Sequence, residues 1–253
     1  MKPKAQDVLQ ALVEADTIDE LWLVWRSSMH EYGFTRIMYG LTRFASDLVS
    51  GDPKDFFILT NFCEDYVQGF VETKLFLDAP MLRWALDNVG PKSWSYVSEI
   101  AAKNDLREAE KRVIAFNRSF GINAGYTISF KTHAQHGRAA VSLSVGPNST
   151  QEDVDKLWEK HGKEVLLINQ VAQIRVMTLP HATFSARRLT KRQHEVLQWV
   201  SDGKTTQDIA IIMDVSKATV EKHLRLAREV LGVETTAQAV LRMAYQNQIF
   251  KLE

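Results

Sequence analysis

The chain has 253 residues, of which 45% are hydrophobic, and its formal net charge is zero. This length and composition suit two globular domains with hydrophobic cores. The balanced charge excludes a polycation, so a nucleic-acid surface must concentrate its positive charge locally. The single cysteine, Cys63, excludes an internal disulfide and fits a reducing compartment. Since no apolar run is long enough for a signal peptide or a membrane span, we expect a cytoplasmic protein with no membrane partner.

The N-terminal part predicts helices followed by strands that alternate with further helices. A capping-box pattern at 17–20 opens a helix that ends near Tyr32. A short turn around His136 and Gly137 joins the last two predicted strands, which indicates an antiparallel hairpin. Helices on both sides of the strands in sequence predict an α-β-α sandwich with an antiparallel sheet. The predicted strands cover 34–42, 55–60, 125–131 and 138–145, and the later helices cover 63–74, 80–89 and 105–120.

A long helix is predicted over about 151–176, where apolar residues recur at helical spacing. This pattern leaves two roles open, covering the sheet and forming a dimer seam. The pattern then fails, and segment 177–188 is predicted to be an interdomain linker. The N-terminal domain is therefore predicted to span 1–176 and the C-terminal domain 189–253.

The C-terminal domain predicts four short helices. Thr190, Thr205 and Ser216 are the predicted N-caps of the first three, and the fourth begins near Thr236. The tight turn before Ser216 joins the second and third helices as in a helix-turn-helix. The whole chain is thus predicted to be α+β, with an all-α C-terminal domain. The predicted buried residues of the fourth helix are Ala237, Val240, Leu241 and Ala244.

The third helix, over about 217–231, is the predicted DNA reader. Arg and Lys can donate to guanine in the major groove, and carboxylates can accept from cytosine. Charge alone would favour a merely solvated helix face, but the topology, the caps and the turn together favour DNA binding. The outward face carries Lys217, Thr219, Glu221, Lys222, Arg225 and Arg228. The residues placed at other helix starts to meet phosphates are Thr190, Lys191, Lys204 and Thr205.

Residues 189–240 contain a dense set of motifs: L-T-x-R-x-x-E-V-L, G-K-T, I-A, V-S-x-x-T-V-x-x-H-L, L-G-V and A-V. Together they strongly resemble the DNA-binding domain of the LuxR family of bacterial transcription regulators. The resemblance implies that Glu221, Lys222 and Arg225 face the bases. Because one small domain should bind a half-site weakly, we expect a homodimer on a palindromic double-stranded DNA site.

Spaced features of residues 1–176 resemble the autoinducer-binding domain of quorum-sensing LuxR regulators. The segment N-F-C-E-D-Y-V-Q-G-F at 61–70 is similar to the family's N-Y-P-x-x-W-x-x-x-Y. Asp78-Ala-Pro80 is similar to its D-P pair, and Trp94 follows at the family's interval. The resemblance implies a ligand-responsive regulator whose partner is an acyl-homoserine lactone, or a related small apolar signal with a polar head, with no other cofactor.

The resemblance also assigns roles to individual side chains. Trp94 would donate to the lactone carbonyl, and Asp78 would accept the amide N–H. Tyr66 and Ser142 would assist at the acyl carbonyl or the head. Without the resemblance, Trp94 and Tyr66 would be core packing, and Asp78 would begin a turn or cap a helix. The complete candidate set for ligand binding is Thr42, Phe62, Tyr66, Phe70, Asp78, Trp94, Thr127 and Ser142.

Several of these positions depart from the family pattern. Tyr66 replaces a tryptophan, and Phe62 and Phe70 replace tyrosines. An alanine, Ala79, follows Asp78, so a gapless alignment places Ala79 at the family's aspartate. Either a local bulge restores the carboxylate to the pocket, or the ligand amide loses this partner.

Strand alternation places each of two groups of residues on a common face, where the small residues are expected to make room for a ligand. One group on a common face is Met38, Gly40 and Thr42, and a second is Ala140, Ser142 and Ser144.

Other functions compete with this interpretation. A phosphorylated receiver is rejected because the pattern is not βα-repeating. A lactone-processing or metal enzyme is a remote alternative: His133 and His136 lie three apart on a hairpin, and no phosphate-binding glycine loop or nucleophile elbow is present. We therefore expect no catalytic site and no metal. The nearer alternative is a LuxR-type regulator whose N-terminal domain acts without ligand, as a dimerisation or partner-binding module.

Overall fold

The computed structural model describes residues 5–42, 56–131, 137–180 and 189–245. The chain divides into two compact units, Met1–Val176 and Met177–Glu253. The long helix continues to Thr178, so the first two residues of the predicted linker are helical. The remainder of that linker, over 181–188, lies outside the described residues, as do His133 and His136.

The first unit is an antiparallel sheet between two layers of helices. Its helices are α1 (Ala5–Glu14), α2 (Ile18–Glu31), α3 (Glu64–Val67), α4 (Pro80–Asp87), α5 (Ser95–Ala102), α6 (Glu108–Ser119) and α7 (Gln151–Thr178). Its strands are β1 (Arg36–Thr42), β2 (Phe56–Thr60), β3 (Gly90–Ser93), β4 (Gly125–Phe130) and β5 (Arg138–Ser144). The predicted helix over 63–74 is interrupted: α3 passes into a π-helical turn, Gln68–Glu72, and a 3-10 helix, Leu75–Asp78, follows.

The strand order is β2-β1-β5-β4-β3, and every neighbouring pair is antiparallel. The predicted hairpin of β4 and β5 is confirmed by their pairing. Strand β3 was not predicted from the sequence, because it is short and contains Pro91, which suits only a sheet edge. The register sets Met38 of β1, Ser142 of β5 and Thr127 of β4 side by side.

One face of the sheet packs against α2 and α7. The Tyr126 ring of β4 stacks on Trp158 of α7, with 4.0 Å between ring centroids. The Trp25 indole of α2 donates to Asn169 of α7 over 2.9 Å inside this layer. The predicted covering role of α7 is therefore confirmed, whereas its role as a dimer seam stays a prediction.

The other face of the sheet meets the segments between α3 and α6. The hydroxyl of Ser129 on β4 donates to the carbonyl of Ala85 on α4 over 2.8 Å, which ties α4 to the sheet. The predicted α-β-α sandwich is thus confirmed, and the layer that contains α4 is the one that leaves an internal space.

The second unit consists of α8 (Lys191–Ser201), α9 (Thr206–Ile212), α10 (Lys217–Leu231) and α11 (Thr236–Tyr245). The three predicted N-caps form, since the hydroxyls of Thr190, Thr205 and Ser216 each accept from a backbone N–H three residues on. Gly232 ends α10 in the left-handed conformation, at φ 65°. The helix-turn-helix prediction is confirmed.

The buried face of α11 differs from the prediction. Ala239 and Met243 are fully buried, and Val240 is half-buried, whereas Ala237, Leu241 and Ala244 are exposed. The apolar side chains of α11 lie on several sides of the helix, so its sequence is compatible with more than one buried stripe. Packing against α8 and α10, rather than periodicity, selects the stripe that is buried.

No helix in the described ranges is long and apolar enough to cross a membrane. Within the same ranges, no cluster of histidine, cysteine or acidic side chains could hold a metal ion.

Candidate functional site

A cavity of about 260 Å³ lies in the first unit, between the sheet and the segments from α3 to α6. Its floor is the face of the sheet opposite α7. Of the six residues that strand alternation placed on this face, five line the cavity. Ser144 does not line it, and its hydroxyl donates to the carbonyl of Ala124 over 3.1 Å. The five floor residues are Met38, Gly40, Thr42, Ala140 and Ser142.

The space exists because small residues meet at the centre of the floor. Gly40 pairs with Ala140 across β1 and β5. A Cβ built on Gly40 would have no heavy atom within 4 Å. The neighbouring strands therefore keep ordinary pairing while the side-chain layer above them stays empty.

The structure brings most of the predicted ligand-binding residues together at this cavity. Seven of the eight contribute to its lining: Thr42, Phe62, Tyr66, Phe70, Trp94, Thr127 and Ser142. They come from β1, β4, β5 and the segments that contain α3 and α5, so strand register and helix docking both contribute to the grouping.

A polar cluster lies where β4 and β5 meet the start of α5. Trp94 is the N-cap residue of α5, and its indole Nε1 donates to the Thr127 hydroxyl over 2.9 Å. Ser142 pairs directly with Thr127 across the two strands. One indole N–H and two hydroxyls are thus gathered on one side of a largely apolar space. We refer to Trp94, Thr127 and Ser142 as the indole-hydroxyl cluster.

A stack of aromatic rings forms one wall. Phe62 stacks on Tyr66 with centroids 4.6 Å apart, and Tyr66 stacks on Phe70 at 5.0 Å. The Tyr66 hydroxyl donates to Asn117 of α6 over 3.0 Å. Burial raises the pKa of Tyr66 well above its usual value, so this phenol stays neutral and can act as a donor at physiological pH.

Asp78 is the predicted residue that the structure does not bring to the cavity. It is exposed at the end of the 3-10 helix, whereas Ala79 and Pro80 line the cavity. Ala79 has extended backbone angles, φ −71° and ψ 127°, and in extended chain successive side chains point to opposite sides. No bulge turns the carboxylate inward, and the assignment of Asp78 to a ligand amide is therefore corrected.

The lining also contains residues that sequence reasoning did not assign to the ligand, and the polar ones among them include Asn117 and Arg138. Asn117 lies on α6, for which no inward face was predicted. Arg138 is the first residue of β5 and also lines the cavity. The alternation that placed Ala140 and Ser142 on the floor includes Arg138 as well, so this signal was present in the sequence.

Helix α10 of the second unit presents a charged face. Lys217, Glu221, Lys222 and Arg225 are exposed. Arg225 forms an ion pair with Glu229, with 2.6 Å between Nη1 and Oε1. All four are accessible on the surface of α10, and their contact with DNA bases stays a prediction.

Thr219 has a different environment from the other predicted reader residues. It is half-buried, and its hydroxyl oxygen lies 2.9 Å from that of Ser216, at the N-cap of α10. The Thr219 hydroxyl therefore stabilises the start of α10, and its contact with a base stays a prediction.

The predicted phosphate-contacting residues surround the starts of α8 and α9. Lys191 and Lys204 are exposed, and the Thr190 and Thr205 hydroxyls are engaged as helix caps. The hydrogen bond from Thr205 lowers the pKa of Asp208, so the cap carboxylate stays charged at neutral pH. These threonines thus organise helix N-termini, whose free N–H groups favour anions.

The two units together define a class of protein: a DNA-binding transcription regulator with a sensor domain. Residues 17–176 match the model of the autoinducer binding domain, and residues 187–243 match that of the bacterial regulatory proteins of the luxR family. The chain belongs to the LuxR family of quorum-sensing transcription regulators, which are regulators and not enzymes.

Two relatives match most or nearly all of the chain. The transcriptional activator protein AnoR of Acinetobacter nosocomialis is 26% identical over 243 residues, which are 96% of this chain and 97% of AnoR. The quorum sensing-dependent transcriptional regulator RpaR of Rhodopseudomonas palustris is 28% identical over 196 residues, 77% of this chain and 72% of RpaR.

Among solved structures, the chain has the fold of Escherichia coli SdiA. One SdiA crystal structure has a TM-score of 0.54 at 17% identity and covers 98% of both chains. A structure of SdiA in complex with octanoyl-rac-glycerol has a TM-score of 0.55 at 15% identity and covers 100% of both chains. At these identities the likeness establishes the fold alone.

Proposed function

We propose that the cavity binds a small amphiphilic signal, an acyl-homoserine lactone or a related molecule with a polar head and an apolar tail, and that binding controls DNA recognition. The observation that carries this proposal is a cavity inside the sensor core with a single indole-hydroxyl cluster on an otherwise largely apolar lining. Ligand pockets are typically of this kind, with a few placed polar groups that orient the ligand.

The head of the signal would bind at the indole-hydroxyl cluster. The Trp94 N–H can donate to a carbonyl oxygen, and the Thr127 and Ser142 hydroxyls can each donate or accept. The tail would extend across Gly40 and Ala140, where the floor has no larger side chains. A ligand in this position replaces empty core volume with apolar contacts, which stabilises the folded domain.

The size of the cavity limits the tail. A volume of about 260 Å³ lies just below the ~300–1,000 Å³ of typical ligand pockets. This favours a signal with a short or medium chain. The solved complex of SdiA with octanoyl-rac-glycerol supports an acyl chain on an oxygen-bearing head as the wider ligand class, beyond lactones alone.

DNA recognition would use a homodimer and a palindromic site. Helix α10 alone offers one major-groove contact surface, and two-fold pairing of readers matches two half-sites. Large apolar side chains on α1, α2 and α7 are available for subunit contact, since Val13, Leu23 and Ile174 are 57%, 53% and 62% exposed.

Thermal unfolding of the full chain against a panel of acyl-homoserine lactones and monoacylglycerols tests ligand binding. A cognate ligand should raise the melting temperature, by mass action on the folded state. A DNA mobility shift with a palindrome and with its isolated half-site, with and without that ligand, tests the coupling and the dimer. No thermal shift across the panel, together with palindrome binding that needs no ligand, would instead establish the ligand-independent dimerisation or partner-binding module.

A further inference from the structure

The charges that line the cavity are unbalanced. Among the described lining residues there is no Asp or Glu, because Asp78 lies outside and Ala79 takes its place at the wall. Two arginines, Arg118 and Arg138, are present. Arg118 is exposed on α6, whereas Arg138 is half-buried and begins a strand whose residues form the cavity floor.

Arg138 has no charged partner among the residues that the structure describes. Its Nη1 donates to the carbonyl of Gly137 over 2.7 Å. A guanidinium carries five N–H donors, and the hydrogen bond to Gly137 uses one of them within the described ranges. Thr42, whose side chain carries a further hydroxyl donor, is paired with Arg138 across β1 and β5.

The cavity therefore has polar groups at two ends of its floor. Arg138 and Ser142 are four residues apart on β5, which corresponds to about 13 Å along a strand. Between them the floor is the small apolar pair of Gly40 and Ala140. One end carries the neutral indole-hydroxyl cluster, and the other carries a cation beside a hydroxyl.

We infer that the signal is bifunctional: its head binds at the indole-hydroxyl cluster, and its chain ends in a carboxylate that binds Arg138 and Thr42. This inference rests on the proposed function, since it names the chemical class of the ligand for the same cavity. A guanidinium matches a carboxylate with two parallel N–H···O bonds, and Thr42 supplies a third donor. A chain that ends in a methyl group would instead remove water from Arg138 and leave its donors unpaired, which disfavours such a ligand.

Two probes of equal carbon number separate this inference from simple tail binding. The first is N-octanoyl-homoserine lactone, and the second is the same lactone with a carboxylate in place of the terminal methyl group. Affinities for the full chain are measured by calorimetry, with thermal unfolding as a second readout. The wild-type protein should bind the carboxylate probe at least about tenfold more tightly, as a charged hydrogen-bonded pair is gained.

Substitution of Arg138 should change this preference. Arg138→Met keeps an apolar stem without the charge, so it should reverse the order of the two probes. Arg138→Lys keeps the charge but loses the bidentate geometry, so its preference for the carboxylate probe should lie between those of the wild type and Arg138→Met. It also serves as the test if Arg138→Met does not fold. Lys131→Met is the matched control, because Lys131 is an exposed cation just after β4 that does not line the cavity. It should leave the preference unchanged.

The outcomes distinguish the inference from the proposed function. If the octanoyl probe binds as well as the carboxylate probe or better, or if both Arg138 variants keep the wild-type ratio, the inference is overturned and the sensor role stands. If neither probe nor any member of the wider panel binds, the proposed function itself is wrong.

Discussion

The indole Nε1 of Trp94 donates a 2.9 Å hydrogen bond to the hydroxyl of Thr127 at the polar end of the sensor cavity. The donor that the family resemblance assigned to a ligand carbonyl thus already has a hydrogen-bond partner within the protein. Because Thr127 also pairs with Ser142 across the strands, a ligand head at this point enters an existing hydrogen-bond network. The free energy gained from a ligand at this point is therefore the difference between two arrangements in which the Trp94 N–H is hydrogen-bonded, to Thr127 or to the ligand.

Trp94→Phe should weaken the response to the cognate ligand. The ring keeps most of its volume but loses its N–H, so a ligand carbonyl goes unpaired at a cost of about 1–3 kcal/mol. Thermal shift at fixed ligand concentration measures this loss. Thr127→Val removes a different member of the same cluster, and because it leaves the Trp94 N–H available to the ligand, its loss of thermal shift should be smaller than that of Trp94→Phe. An unaltered shift in Trp94→Phe would remove Trp94 from the ligand contacts.

Asp78→Asn should leave ligand binding unchanged, because Asp78 is exposed and outside the cavity. Stability should also stay within about 0.5 kcal/mol, as is usual for surface changes. Ala79→Asp is the informative partner, since it introduces a carboxylate at the cavity wall. It should lower the melting temperature of the free protein and improve the affinity for amide-bearing lactones. A large loss of lactone binding in Asp78→Asn would contradict the placement of this side chain.

Gly40→Leu should close the cavity without disrupting the sheet. A Cβ at Gly40 meets no heavy atom within 4 Å, so the added side chain extends into the empty space. We expect a free-protein melting temperature equal to or above that of the wild type and a loss of the ligand-induced shift. Gly125→Ala provides the contrast, because its Cβ would lie 2.3 Å from the carbonyl oxygen of Leu143 and should destabilise the domain. Retained ligand binding in Gly40→Leu would place the ligand elsewhere.

Arg225→Ala should weaken binding to the specific site and relax base preference, by about 1–3 kcal/mol for a lost bidentate base contact. In the free protein Arg225 is paired with Glu229 on the exposed face of α10. Glu229→Ala should therefore free the guanidinium and leave specificity intact. Selection of binding sites from a randomised palindrome measures the preference of each variant. A site preference in Arg225→Ala that matches the wild type would show that Arg225 does not read bases.

Lys204→Ala should weaken binding about equally across DNA sequences, since Lys204 is exposed immediately before the cap of α9. Loss of one phosphate contact lowers the slope of log affinity against log salt by about 1. Titrations at several salt concentrations measure this slope. Lys160→Ala, an exposed lysine on α7 of the sensor domain, is the control and should keep the wild-type slope. An unchanged slope in Lys204→Ala would rule out the phosphate contact.

The helix-turn-helix domain could be predicted from the sequence almost completely. Its helix starts depend on Thr190, Thr205 and Ser216, and each cap bonds to a backbone N–H only three residues away. Such contacts are local, so the residue types and their spacing already specify them. The cavity floor could be predicted for a similar reason, since strand alternation alone places Gly40 and Ala140 on the inner face of the sheet.

Other features depended on contacts between residues far apart in the chain. The order of the strands pairs Thr42 with Arg138, and the docking of α5 brings Trp94 to Thr127, 33 residues away. The buried stripe of α11 was selected by its neighbours, because its own apolar pattern fits several helical faces. No periodicity encodes these relationships, since each depends on how two separately formed elements meet.

The neighbouring residues Asp78 and Ala79 show the same contrast between what the sequence determines and what tertiary contacts determine. The amino-acid sequence by itself determined that this is a LuxR-type regulator with a DNA-reading C-terminal domain, and that its family aspartate is displaced by one position. Only the tertiary structure decided which of the two side chains faces the cavity. The extended backbone at Ala79 directs the methyl group inward and leaves the carboxylate in water, because chain direction at that point is set by packing around it and not by the local sequence.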